Sequence, residues 1–196
     1  MNTSKRIKRM AGVALLTALA VVLQLIANYI KFGPVNITLA LIPIVVGAII
    51  YGPGSGALIG GVVGVIIITA PDTQTFLSFN ALATILLCIL KTSIAGLVAG
   101  YLFKLLNKFN FTVSVIVSTL IVPIINSGIF FLGCVLFFFP LFGNDTTQVI
   151  NTVIGIIITT NFLIEFSINL ILSPTIIFLL KILDRKYNFE LNIKNK

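Results

Sequence analysis

Long apolar runs separated by short polar breaks set the pattern of this chain. The runs fall at about 7–27, 38–50, 55–70, 80–104, 111–141 and 149–183. About 20 apolar residues suffice to cross the hydrocarbon core of a bilayer as an α-helix. Strands of an outer-membrane barrel instead alternate apolar and polar residues over about 10 positions, and these runs do not alternate. The pattern predicts an all-α membrane protein, a six-transmembrane-helix bundle forming one integral membrane domain over residues 1–196.

The breaks refine this picture. Gln24 to Thr38 carries Asn28, Tyr29, Lys31, Gly33, Pro34 and Asn36 and reads as a loop. Tyr51-Gly52-Pro53-Gly54-Ser55-Gly56 is a tight-turn signal, so the second and third runs form a hairpin. Both runs are short for a full span, which calls for partly buried helices. Pro71 to Asn80 reads as a polar loop, and Gly143 to Gln148 as another. Phe111 to Phe142 exceeds one span by about 10 residues. It holds Pro123 and Gly128, where a helix can kink, and is expected to be one bent helix. The last run, Val149 to Leu183, is also over-long and contains Pro174.

Composition sharpens the class. The chain is 58% hydrophobic and 9% charged, where a soluble domain has about 25% charged residues. Its net charge is +8, and of its 13 Lys and Arg all but Lys31 and Lys91 lie in three short segments. These are the amino-terminal Lys5–Arg9 cluster, the break holding Lys104 and Lys108, and the carboxy-terminal stretch from Lys181. Positive residues accumulate on the cytoplasmic side of membrane proteins, so both termini are expected there. The basic balance is thus a topology signal, and nucleic acid is excluded as a partner. The first apolar part, Met10 to Ile30, is longer than the 7–15 residues of a signal-peptide core and reads as a retained helix. Cys88 and Cys134 sit inside apolar runs and read as packing residues; histidine is absent.

Candidate chemistry then narrows to polar groups at membrane depth. Lys91 and Glu165 are the charges inside long apolar runs. A lysine at mid-membrane costs about 2.5–3.5 kcal/mol on insertion scales, so it needs a partner, a wet cavity or a ligand. Asn80, Thr84 and Asn126 accompany it, and Asn161, Glu165 and Asn169 recur every four residues on one helix face. Such a set can bind a small polar ligand through charge-assisted hydrogen bonds. Equally, Lys91 can pair with Glu165 while the asparagines join neighbouring helices. A ligand loaded from outside would meet Asn80, Thr84 and Asn161 first, with Lys91 and Glu165 as the floor and the loops 28–36 and 71–80 as lids. Lys91-Thr92 has the tail of a phosphate-binding loop but no preceding glycines. No metal site and no catalytic arrangement is visible, so the chain is not expected to be an enzyme. Ala14 and Ala18, four apart, form a small-residue face that admits a close helix, from this chain or from a partner.

These features together resemble the S components, the substrate-binding membrane subunits, of energy-coupling factor (ECF) transporters, which are bacterial vitamin importers. The resemblance rests on the basic amino terminus, Ala14 and Ala18, and the block Leu39 to Gly64. Within that block, Pro43, Gly47, Ala48, Tyr51, Gly52 and Pro53 carry the most specific spacing. The Asn80–Lys91–Gly100 helix and Asn126 to Gly133 add to it. The resemblance implies a multi-pass protein of the bacterial plasma membrane that captures a vitamin from outside. It implies docking through Ala14 and Ala18 onto a transmembrane coupling subunit carrying two cytoplasmic ATPases. ATP and Mg would act on those partners, with no cofactor in this chain. Within the family the sequence is similar to the branch that includes pantothenate carriers. Two other readings stay open: a stand-alone secondary transporter or channel, although no internal repeat is visible, and a membrane scaffold with a structural Lys91–Glu165 pair.

Overall fold

The computed structural model describes residues 3–29, 38–142 and 162–187, together with 145, 147, 151 and 155. Its elements are helices: α1 (Thr3–Ala27), α2 (Leu41–Tyr51), α3 (Pro53–Ile67), α4 (Thr73–Phe79), α5 (Ala81–Leu106), α6 (Phe111–Phe137), α7 (Phe139–Phe142) and α8 (Leu163–Tyr187). Among the described residues there is no strand. The run expected from 149 is seen as α8; most of its first part, including Asn161, lies outside the described residues.

Four helices, α1, α5, α6 and α8, are long and apolar enough to cross a membrane. Their outward side chains stay apolar: Leu15, Leu82, Ile171 and Phe178 are all exposed. An apolar surface of that extent suits acyl chains and not water. Ala14 and Ala18 lie on the exposed side of α1, while Ala20 is buried. The small-residue face therefore does not pack within the described chain.

The short hairpin helices solve their length problem by burial. At 1.5 Å per residue α2 spans only about 16 Å. Almost all of it, from Leu41 through Pro43–Ile49, is buried, so it need not match the bilayer. The turn after it is tighter than the sequence suggests. Gly52 alone reverses the chain at φ +92°, a conformation costly for any residue with a Cβ. Pro53 follows as the first residue of α3, where its missing N–H costs no helical bond.

Backbone-to-backbone contact joins α3 to α5. A Cβ at Gly56 would stand 2.6 Å from the Gly96 carbonyl oxygen, and one at Gly100 2.6 Å from Pro53 Cα. At Gly60 it would strike the Thr92 backbone, and at Gly64 that of Cys88 and Ile89. The spacing of four along each helix keeps these glycines on one face. Around this seam Ile44, Val45, Ile59, Val63, Ala95, Ala99, Val115 and Val122 form the core.

Two segments differ from the expected pattern. Residues 73–79, expected as loop, form α4. Thr73 turns inward and its hydroxyl donates to the Ile67 carbonyl (3.0 Å). Phe76 packs edge-on against Phe130 and Phe138, with ring centroids 5.7 and 5.1 Å away. A partly buried aromatic and a tied first turn fix seven residues that polarity alone reads as coil. The run 111–141 is one helix only to Phe137. Pro140 cannot donate to the carbonyl four residues back, so the helix breaks at Phe138, whose ring is fully buried, and resumes as α7.

Candidate functional site

The end of α1, the start of α2, the end of α3, all of α4, the start of α5 and the end of α6 meet at one end of the bundle. That end is opposite Arg9, Lys104 and Lys108. A cavity of about 30 Å³ lies there, room for one or two waters. Its wall is mixed. Gln24 and Asn28 come from α1, Thr38 from the approach to α2, and Asp72 and Thr73 from the start of α4. Thr84 and Lys91 come from α5, and Phe76, Phe130 and Phe138 supply an aromatic side.

Each polar group is placed by its helix. Gln24 and Asn28 are one turn apart, and the Gln24 amide donates to Asn28 Oδ1 (3.0 Å). Asn28 Nδ2 in turn donates to the Ile66 carbonyl (3.2 Å), which fixes α1 to the end of α3. Gln24 Oε1 is left buried with no hydrogen-bond partner among the described residues. Thr84 donates to the Asn80 carbonyl (2.8 Å). Lys91 is 8% exposed, and its ammonium sits 4.7 Å from the centroid of the Phe130 ring. A desolvated cation over an aromatic face gains about 2 kcal/mol, and no hydrogen bond from the Lys91 ammonium is found among the described residues. The lysine therefore retains the capacity to bind an anion.

Glu165 has different partners. Its Oε1 accepts from the Thr38 amide at 2.7 Å and its Oε2 from Asn126 Nδ2 at 3.2 Å. Among the described residues it forms no direct salt bridge with Lys91, the pair weighed from sequence. Instead Glu165 ties α8 to α6 and to the chain entering α2, and so holds the Thr38 wall of the cavity from behind. Asn169 donates to the Glu165 carbonyl within α8 (2.8 Å). One expected result follows. Glu165→Ala leaves the Thr38 N–H and the Asn126 amide unpaired in a buried place and should destabilise by about 2–4 kcal/mol. Glu165→Gln, which keeps an acceptor, should cost under half of that. Thermal unfolding of the two variants side by side measures the difference.

Of the residues expected from sequence, Thr84 and Lys91 line the cavity, and Asn126 and Glu165 stand one layer behind it. Asn80 is exposed and caps α5, its side chain accepting from the Ala83 amide (3.1 Å); it does not reach the cavity wall. Asn161 lies outside the described residues. The residues missed are Gln24, Asn28, Phe76 and Phe130. Gln24 and Asn28 had a signal, two amides four apart at the end of an apolar helix, but they read as the start of a loop. Phe76 was hidden by the polar residues around it.

A mixed wall with one buried cation, polar hydrogen-bonding groups and an aromatic side suits binding of a small polar molecule. Among the described residues no group of three His, Cys, Asp or Glu could hold a metal ion. The family model described as ECF transporter, substrate-specific component matches residues 8–177. No curated protein and no solved structure matches the chain. With that match across most of its length, the chain belongs to the family of substrate-specific components of ECF transporters.

Proposed function

We propose that this substrate-specific component captures a water-soluble vitamin from outside the cell, with pantothenate as the best candidate. Lys91 would take the carboxylate, and Thr84, Gln24 and Asn28 would meet hydroxyl and amide groups. The observation that carries this reading is the buried Lys91 ammonium, held over Phe130 in a polar cavity and unpaired with Glu165. The carboxylate of Glu165 is directed at Thr38 and Asn126, and the half-buried Asp72 in the cavity wall sets the side that an anion on Lys91 avoids. A vitamin needs a pocket of about 300 Å³ or more, so binding entails widening of this end of the bundle.

Membership in the family implies association with an energy-coupling module. In our reading the module is a transmembrane subunit with two cytoplasmic ATPases that bind ATP and Mg. The bundle spans a bacterial plasma membrane six times with both termini inside. Ala14 and Ala18, exposed on α1, would receive the coupling subunit. Native mass spectrometry of the purified chain tests ligand capture. A co-purified small anion supports it; a chain that carries nothing and binds no vitamin from a panel overturns it. For docking, Ala14→Trp should leave binding unchanged and reduce uptake in cells at least tenfold. Uptake at the original rate would remove α1 from the interface.

A further inference from the structure

A second cleft lies at the opposite end of the bundle, around the α2–α3 turn. It has a volume of about 540 Å³ and is bounded by Arg9 of α1, Tyr51 and Gly54 of the turn, and Tyr101 and Lys104 of α5. Arg9 donates to the Tyr51 carbonyl oxygen at 2.6 Å and reaches Ser55 Oγ at 3.5 Å. The Lys104 ammonium stands over Gly52, 3.9 Å from the position a Cβ would take. Among the described residues no Asp or Glu lines the cleft. Two cations from different helices thus face one concave space whose wall, among the described residues, carries no opposite charge.

We propose that this cleft binds the phosphate of an anionic phospholipid headgroup. Arginine and lysine donate strong charge-assisted hydrogen bonds to phosphate oxygens. Basic pockets between transmembrane helices take anionic headgroups for that reason. The surface beside the cleft favours a lipid over a soluble anion. Tyr101 is 56% exposed and Leu105 59%, and Ile94, seven residues before Tyr101, is also exposed. They share one face of α5 and form an apolar stripe running from the lip of the cleft toward mid-bundle. Tyrosine itself prefers the headgroup level. One amphipathic molecule fits both features, its phosphate between Arg9 and Lys104 and its chain along the stripe. A soluble phosphate uses only the first.

The test is native mass spectrometry and thermal unfolding of the full chain with phosphatidylglycerol, phosphatidylcholine or glycerol 3-phosphate. Wild type should retain phosphatidylglycerol over phosphatidylcholine. Arg9→Gln and Lys104→Gln should each reduce that retention about fivefold, and the double variant roughly 25-fold. Lys104→Gln removes no hydrogen bond found among the described residues, so it decides the matter even if Arg9→Gln fails to fold. Undiminished retention in Lys104→Gln and in the double variant overturns the proposal. So does glycerol 3-phosphate stabilising wild type as well as the lipid does, which would assign the cleft to soluble phosphates. Retention unchanged together with lost assembly on the coupling module would assign it to an acidic protein surface, and overturns the lipid assignment too.

Discussion

Lys91→Met should abolish ligand binding and leave the bundle folded. The ammonium is buried over Phe130, and a desolvated charged contact to a ligand contributes at least about 2 kcal/mol. Affinity should therefore fall by at least about 30-fold. Stability should fall by less than the loss of a direct buried ion pair would cost. Were Lys91 the partner of Glu165, its loss would strand a buried carboxylate at a cost of about 3–5 kcal/mol. Glu165 is instead held by the Thr38 amide and Asn126, and methionine fills the lysine's volume without a charge to desolvate. Calorimetric titration with pantothenate and a vitamin panel, run beside thermal unfolding, separates the two effects. Binding that survives would show the lysine to be structural. A variant that binds nothing because it no longer unfolds cooperatively would return Lys91 to the fold.

The second large effect is expected at Gly60. A single methyl there strikes the Thr92 backbone, which cannot rotate aside as a side chain would. Gly60→Ala must push α3 and α5 apart along the seam, which also loosens Gly56 against Gly96. Overpacking a well-fitted core costs about 1–3 kcal/mol, and backbone against backbone belongs at or above the top of that range. Because Thr92 follows Lys91, the displacement should reach the cavity and weaken binding as well. Gly128→Ala is the matched control. Nothing among the described residues stands within 4 Å of its Cβ position, and replacing an open mid-helix glycine gains about 0.5–1 kcal/mol. Opposite shifts in midpoint temperature for the two variants are expected. Equal shifts would mean that α3 and α5 are not in close contact in the membrane.

Much of this architecture was legible in the sequence because lipid imposes simple rules. A run of about 20 apolar residues has one economical conformation in a bilayer, so α1, α5 and α6 begin and end within a few residues of expectation. The hairpin was legible through Gly52 and Pro53, whose backbone preferences are local. What escaped depended on distant partners. The helix at 73–79 exists because Phe76 finds Phe130 and Phe138, more than 50 positions later. The break at Phe138 follows from that same packing and from Pro140. In the cavity, Lys91 and Thr84 stood out as polar groups in apolar runs. Gln24 and Asn28 did not, since a polar residue at the end of a span is ordinary. Glu165 was visible as a buried charge, but its bond to a backbone amide at Thr38 has no signature in side-chain chemistry.

The two ends of α1 are riveted by hydrogen bonds, while one face of its middle packs on the core through Val13, Leu16 and Ala20. Arg9 is fixed to the carbonyl of Tyr51 and Asn28 to that of Ile66, and the 19 residue steps from one to the other span about 28 Å, nearly the full thickness of the hydrocarbon layer. Both rivets belong to the hairpin. If this protein tilts or rolls in the bilayer, its first three helices, with α5 locked to α3 along the glycine seam, must therefore travel as one plank, and force applied to the amino terminus should extract them together in a single rupture.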